Sequence, residues 1–213
     1  MQSIAHLHGV LVADVVASRS TARLRSSLNE KLRIASIAGL DEKLIRVPYA
    51  VTAGDEFQVV ATHLERIPKL IFELRRRMFP FRLRIGVGIG GVEGQIRPPV
   101  NRISGEAFEF ARAAINHIKD ARKYPTLTLF RSNQLVFDGI ANLAYGLHDT
   151  LLLQTTTKQW ETITMYLTKN RVDLTAKALG IDQSTASRNL KRGYFWQAEE
   201  TIRVMEEFII TSF

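Results

Sequence analysis

The stretch Ala50-Val51-Thr52-Ala53-Gly54-Asp55-Glu56-Phe57-Gln58-Val59-Val60 predicts a β-hairpin. Residues with high strand propensity lead into and out of it, and Gly54 can adopt the positive φ that a tight turn needs. Asp55 and Glu56 would then project from a rigid tip, where a hard cation and its phosphates could be held. A single acidic turn is more often just solvent-exposed, so the rest of the chain has to decide between the two interpretations.

A buried strand with one carboxylate precedes the hairpin. The run Gly9–Val16 is continuous and rich in β-branched residues, which is typical of a strand covered on both faces. Asp14 is costly there unless it is paired, hydrogen-bonded or metal-bound; alternatively it caps the following helix. Ser18 and Arg19 come next and could offer a hydroxyl and a guanidinium to a phosphate, although Arg19 could equally pair with a nearby acid.

The segment Phe81–Gly90 predicts another strand, with apolar residues at every second position. Its opposite face carries Arg82 and Arg84 followed by alternating glycines, which permit close approach of another backbone or of a ligand. The glycines lie inside the strand and do not turn into a helix, so this is not a dinucleotide-binding fingerprint. The Arg75–Arg77 triple at the end of the preceding predicted helix is expected to be a solvated face.

The predicted order is strand, helix, strand-turn-strand, helix, strand, helix, strand. It indicates an α/β (α+β) sandwich with a mixed sheet and helices on one or both faces. Within it, one helix is predicted from residue 20 to 38, ended by Gly39, and a strand from Ile45 to Thr52. The first strand and the hairpin are expected to be sheet neighbours, which would bring Asp14 and Asp55 to one edge.

Composition limits the class of protein. The 213 residues are 46% hydrophobic, enough for a substantial core, and contain no cysteine, which excludes disulfides and Cys-based zinc sites. The apolar run near the N-terminus is too short for a membrane span, so we expect a soluble, cytoplasmic protein without a membrane partner. The net charge of +8 favours polyanionic partners such as nucleotides or nucleic acid.

A helix-turn-helix pattern lies near the C-terminus, within a predicted second domain of residues 154–213 that follows a first domain of residues 1–153. A helix bearing Ala176 ends at Gly180, and a second helix begins at Gln183 with Ala186 and Leu190 facing inward. The residues expected to face DNA are Gln183, Ser184, Thr185, Ser187, Arg188 and Lys191. The alternative is a helix-turn-helix retained for protein interaction. The last predicted helix, from Trp196 to Ile210, could be a dimer seam or simple packing.

Three segments occur in an order that resembles a known catalytic domain: Val12-Ala13-Asp14-Val15-Val16, Thr52-Ala53-Gly54-Asp55-Glu56-Phe57 and Arg84-Ile85-Gly86-Val87-Gly88-Ile89-Gly90. They resemble the palm-like domain of class III nucleotidyl cyclases and, more distantly, diguanylate cyclases, over residues 8–131. The whole chain resembles the SatD family. The resemblance implies a palm or ferredoxin-like cyclase-type sandwich, with a nucleoside triphosphate and Mg²⁺ or Mn²⁺ as ligands.

The resemblance also implies roles for individual residues. Asp14 and Asp55 would be metal ligands together with the carbonyl of Val15, and Asp14, Asp55 and Glu56 would be catalytic if the chain is an enzyme. Val15, Ser18, Arg19 and Gly54 would contact the nucleotide.

The helix after the glycine-faced strand departs from the cyclase pattern. Glu109 stands where cyclases have Asn and Ala113 where they have Arg, while Arg112 is one residue away, about 100° around a helix. The sequence thus predicts a metal-binding site that lacks the side chains with which cyclases stabilise the transferring phosphate.

Three functions follow from these observations. The first is a homodimeric transcription regulator, in which a nucleotide- or metal-binding palm domain is coupled to a DNA-binding helix-turn-helix. The second is a metal-dependent nucleotidyl cyclase or small nucleotide polymerase, and the third is a catalytically vestigial interaction scaffold.

Overall fold

The computed structural model describes residues 7–16, 22–120 and 126–213. Within these ranges, no helix combines the length and apolarity needed to cross a bilayer. The elements in chain order are β1 (His8–Val15), α1 (Ala22–Asp41), β2 (Ala50–Ala53), β3 (Glu56–Val60), α2 (Ile67–Met78), β4 (Leu83–Gly90), α3 (Glu106–Asp120), β5 (Thr128–Arg131), α4 (Leu135–Leu152), α5 (Thr157–Lys169), α6 (Val172–Leu179), α7 (Gln183–Arg192) and α8 (Phe195–Ser212).

The strands form one mixed sheet in the order β2-β3-β1-β4-β5. β1 lies at the centre, antiparallel to β3 and β4, and β5 runs parallel to β4 at the far edge. Gly9 to Val15 are all buried, as expected for a strand covered on both faces. The predicted α/β architecture with a mixed sheet is therefore confirmed.

Helices cover both faces of the sheet. Successive side chains of β1 point to opposite faces and therefore pack against different helices. Val10 and Val12 pack with residues of α3 on one face. Leu11 and Ala13 belong to the larger core on the other face, to which α1, α2, α4 and α8 contribute. Asp14 continues the series of Val10 and Val12, so its carboxylate lies on the face covered by α3.

The alternating glycines of β4 form the seat of α3. A Cβ at Gly88 would lie 2.0 Å from the Ala107 carbonyl oxygen, and one at Gly86 would lie 2.3 Å from the Ala111 carbonyl oxygen. Such distances are far inside van der Waals contact, so only glycine allows the helix backbone to lie this close to the strand. Of the two predicted partners for this glycine face, a backbone and a ligand, the structure places a helix backbone there.

The C-terminal helices pack directly against the sheet-containing part. Phe72 of α2 joins Trp160, Leu190 and Phe195 in one apolar cluster, while Met205 of α8 is buried in the main core. The division into residues 1–153 and 154–213 stays a prediction, but the contacts between the two parts are hydrophobic and extensive. Of the two roles expected for the last helix, a dimer seam and simple packing, the structure shows intramolecular packing of its apolar side.

Two local predictions around residues 39–52 are wrong. α1 does not end at Gly39 but continues to Asp41. Ile45, beyond the end of the helix, lies against Gly39, where an added Cβ would meet its side chain at 3.0 Å. The strand after it begins only at Ala50, since Ile45 makes an isolated bridge to Ala61 and is not part of a continuous strand.

The prediction of a solvated face at Arg75–Arg77 is wrong, since Arg76 and Arg77 are only 13% and 19% exposed and pair with Glu73, and the largest departure is at Arg75. This residue is buried, and its Nη2 lies 3.1 Å from Asp149 Oδ1, which has no solvent exposure. Arg75 also donates to the Leu83 carbonyl at 2.9 Å and to the Thr128 hydroxyl at 2.6 Å. The network ties α2, β4, β5 and α4 together beneath the sheet edge.

Candidate functional site

The hairpin forms as predicted. Ala53 pairs with Glu56, and Gly54 and Asp55 make the turn between them. Gly54 has a φ of 61°, the left-handed conformation that glycine adopts at no steric cost. β3 lies beside β1, with Ala13 opposite Phe57, so the hairpin and the end of β1 share one region of the sheet.

Asp14 is held by two cations. Arg84, its direct partner in the β1–β4 register, donates from Nε to Oδ1 at 2.8 Å. Lys119, near the C-terminal end of α3, places its Nζ 3.0 Å from Oδ2. The Asp14 side chain is 6% exposed. A buried carboxylate is stable only when compensated in this way.

Glu56 lies in the same cluster. Arg112 Nη1 is 2.5 Å and Thr52 Oγ1 is 2.8 Å from its Oε1, while Lys119 Nζ is 3.4 Å from its Oε2. Burial opposes ionisation of this carboxyl, but the Arg112 and Thr52 hydrogen bonds and the positive charges of Arg112 and Lys119 keep the pKa of Glu56 below its ordinary value. Glu56 is therefore an anion at neutral pH.

The ammonium of Lys119 bridges the carboxylates of Asp14 and Glu56, the kind of position a divalent ion takes between two acids. Three cations compensate these two acids, and the described residues contain no group of three or more acidic, histidine or cysteine side chains placed to bind a metal. The residues therefore do not fit a divalent ion as they stand, because Lys119 would have to be displaced first. The metal site at Asp14 and Asp55 stays a prediction.

The structure brings some of the predicted site residues together and places others elsewhere. It brings Asp14 and Glu56 together through Lys119, and it places Asp55 at a half-buried turn position. Val15 directs its side chain into the main core. Ser18 and Arg19, the predicted phosphate contacts, lie outside the described residues.

Three basic residues of the cluster were not among the predicted site residues. Arg84 could have been found from the register, since it falls on the same sheet face as Asp14. Arg112 occupies the position adjacent to the cyclase arginine and nevertheless reaches Glu56. Lys119 carried no sequence signal, because its contact depends on how closely α3 approaches β4.

α6 and α7 are two helices joined by a short turn, in the segment for which a helix-turn-helix is predicted. Gly180 has a φ of 64° and ends α6, and the Ile181 N–H donates to the Ala176 carbonyl at 3.1 Å. This is the hydrogen-bond pattern of a Schellman motif, which stops a helix and turns the chain. α7 then begins at Gln183, as predicted. Its inner residues Ala186 and Leu190 have no solvent exposure.

The outer face of α7 is polar and basic. The side chains predicted to face DNA are exposed, apart from the half-buried Thr185: Gln183, Ser184, Ser187, Arg188 and Lys191. The helix contains three basic residues and no acidic one. Neither Arg188 nor Lys191 makes an ion pair with any residue that the structure describes, so both charges are available to a partner.

Comparison with known proteins gives one family. No curated protein matches the chain significantly. One solved structure that it resembles is a regulator of polyketide synthase expression from Bifidobacterium adolescentis, at 15% identity over 95% of this chain and 84% of that chain, with a TM-score of 0.31. A TM-score this low supports no functional inference. The SatD family matches residues 9–192. Because that match spans most of the sequence, and includes the hairpin, the glycine-faced strand and both helices of the helix-turn-helix, the chain belongs to the SatD family.

Proposed function

We propose that this SatD-family chain is a regulatory protein that binds DNA through α6 and α7. The observation that carries the proposal is the division of α7 into two faces. Ala186 and Leu190 are fully buried, while Arg188 and Lys191 on the outer face are exposed and unpaired among the described residues. The outer face of such a helix can enter a major groove while its inner residues stay packed against the rest of the protein.

The exposed residue types suit that role. Arginine can contact the O6 and N7 of guanine, glutamine the N6 and N7 of adenine, and serine either phosphates or base edges. Gln183 and Ser184 lie at the N-terminal end of α7, where helix-turn-helix proteins contact bases. Lys191 and Arg192 in its last turn would then contact the phosphate backbone.

The rest of the chain holds α7 in a defined orientation. The Asn189 amide donates to the Thr162 hydroxyl of α5 at 3.1 Å, and Leu190 packs with Trp160 and Phe195. Phe72 of α2 extends the same cluster into the sheet-containing part. We infer that the sheet-containing part positions the recognition helix, which a flexible tether could not do.

We expect Arg188→Ala/Lys191→Ala to weaken binding to a labelled random-sequence 30-base-pair duplex by tenfold or more at about 100 mM salt. The reason is the removal of two positive charges from the face of α7 that would lie against the DNA. The slope of log affinity against log salt should become shallower by roughly one for each phosphate that the variant no longer neutralises. Fluorescence anisotropy at several salt concentrations measures both quantities on the full chain.

Arg97→Ala/Arg102→Ala is the matched control, because these exposed arginines lie between β4 and α3 and removing them lowers the net charge equally. Equal effects in the two double variants would mean that net charge, and not α7, determines binding. Absence of DNA binding by the wild-type chain would favour the alternative of a helix-turn-helix used for protein interaction.

The second candidate function is binding of a nucleotide with Mg²⁺ or Mn²⁺ at the palm edge, with a nucleotidyl cyclase or polymerase activity as its extension. The observation in its favour is the meeting of two carboxylates, Asp14 and Glu56, on neighbouring strands beside the hairpin. The observation against it is that Lys119 already bridges them. If Lys119 stays between the two carboxylates and no ion binds, the third function, a catalytically vestigial interaction scaffold, is the one that remains for this part of the chain.

We expect millimolar Mg²⁺ or Mn²⁺, with ATP or GTP, to leave the unfolding temperature of the wild-type chain unchanged. Lys119 already occupies the position between the two carboxylates, and an ion that does not bind the folded state does not stabilise it. In Lys119→Met the same ions should raise the unfolding temperature, since two carboxylates lose their shared counter-ion. Differential scanning fluorimetry measures both. A rise in the wild type that Asp14→Asn abolishes would establish the metal site instead.

A further inference from the structure

The outward side of α4 carries an unbroken aliphatic stripe. Leu135, Val136, Ile140, Leu143 and Leu147 are exposed by 84, 77, 49, 68 and 64%. Five such side chains present on the order of 300 Å² of apolar surface, comparable with the largest patch on a typical soluble monomer, which is often functional. Three residues of the stripe, Leu135, Leu143 and Leu147, form one wall of a groove of about 930 Å³ between α3, β5 and α4.

The stripe has the spacing of a helix-packing seam. Val136, Ile140, Leu143 and Leu147 follow one another at intervals of 4, 3 and 4 residues, which is the a/d pattern by which one helix packs along another. Gly139 and Gly146, one heptad apart, lie on the same helix, and a Cβ added at either would meet nothing within 4 Å. A second helix can therefore come close to this backbone.

The charge pattern selects the partner. No acidic or basic residue occupies an exposed position of α4: Asp138 is half-buried and accepts from the Ser132 hydroxyl, and Asp149 is fully buried with Arg75. An uncharged stripe offers nothing to nucleic acid or to an acidic peptide. It is complementary to a second uncharged stripe, and the nearest available one belongs to another copy of the chain.

We propose that two copies of this chain associate about a twofold axis through α4, with the stripe of one copy packed against the same stripe of the other. A twofold interface requires a self-complementary patch, and a neutral aliphatic seam with small residues satisfies that condition without pairing like charges. This matters for a chain with a net charge of +8, since two copies repel each other wherever basic faces meet. The rest of the groove, whose lining also contains the oppositely charged Arg131 and Asp138, adds contact area toward the roughly 800 Å² per partner of a stable interface.

The test is the mass of the full chain in solution, measured by multi-angle light scattering and sedimentation equilibrium without DNA. We expect twice the 24.1 kDa of one chain. Leu143→Glu/Leu147→Glu should shift it to the monomer mass and weaken self-association by roughly a hundredfold or more, because two apolar contacts of the seam become buried charges. Ile34→Glu/Ile37→Glu is the matched control, since both isoleucines are about half exposed on α1, and it should remain dimeric.

A covalent readout covers the case in which the glutamate variant fails to fold. The chain contains no cysteine, so Leu143→Cys, near the middle of the stripe, should form an intermolecular disulfide on mild oxidation, whereas Ile37→Cys should not. A monomeric wild type overturns the proposal, as does a dimer that Leu143→Glu/Leu147→Glu leaves intact. Because association is measured without DNA, these outcomes are independent of whether α7 binds DNA.

Discussion

Gly88→Ala is expected to destabilise the chain by about 3 kcal/mol or more, at the upper end of what overpacking costs. The added methyl would lie 2.0 Å from the Ala107 carbonyl oxygen and 2.4 Å from the Ala111 backbone nitrogen. Neither neighbour is a flexible side chain that could rotate away. The whole of α3 would have to move off the sheet, exposing the apolar residues between the two layers.

The same displacement would open the ion-pair cluster, because α3 carries both Arg112 and Lys119 over the acids of β1 and β3. Urea denaturation followed by far-ultraviolet circular dichroism measures the free energy of unfolding. Gly91→Ala is the matched control, since a Cβ there meets nothing within 4 Å. An unfolding free energy for Gly88→Ala within about 0.5 kcal/mol of the wild type would contradict the described seating of α3.

Arg75→Met is expected to cost about 3–5 kcal/mol, because it leaves the fully buried carboxylate of Asp149 without its counter-ion. The Leu127 N–H and the Thr128 hydroxyl still donate to Asp149, but neither carries a charge. The double variant Arg75→Met/Asp149→Leu should recover much of the stability, since removing both charges also removes both desolvation costs. The exposed pair of Arg203 and Glu200 is the control, and Arg203→Met should cost far less, because solvent screens an exposed ion pair.

The same pair predicts the response to acid. Burial opposes ionisation of Asp149, yet the Arg75 charge, His148 and Thr128 keep the pKa of its carboxyl below the ordinary value. A depressed folded-state pKa contributes stability that is fully present above the unfolded value, about pH 4, and is lost as the pH falls through the lower folded value. Asp149→Asn should therefore flatten the acid limb of the stability profile. If the limb is unchanged, Asp149 is not the group that couples stability to pH there.

The main features of the fold could be predicted because their signals are local. Gly54 between two β-prone runs is sufficient for a hairpin, and the period-two pattern from Phe81 to Gly90 for a strand. Gly180 followed by a second amphipathic segment is sufficient for the helix-turn-helix. In each case, a few adjacent residues determine the backbone.

The ion pairs could not be predicted, because they depend on distances between elements. Arg75 lies in a run of three arginines that looks solvated, and only the position of Asp149, 74 residues later in the chain, shows that it is buried. Lys119 reaches Asp14 and Glu56 because the β4 glycines let α3 lie close to the sheet. The resemblance to cyclases named Asp14 and Glu56 among the candidate residues, with Asp14 and Asp55 as the metal pair, but gave no sign of the lysine between Asp14 and Glu56.

Site-directed cross-linking tests the central claim, that the outer face of α7 enters the DNA groove. The chain has no native cysteine, so Ser187→Cys, on the exposed face of α7, can carry a single photoactivatable cross-linker. On a random-sequence duplex, we predict cross-links to DNA from this position and none from Ser26→Cys, at an exposed position of α1. Equal cross-linking from both positions, or none from Ser187→Cys under conditions in which the chain binds the duplex, would contradict the assignment of α7 as the recognition helix.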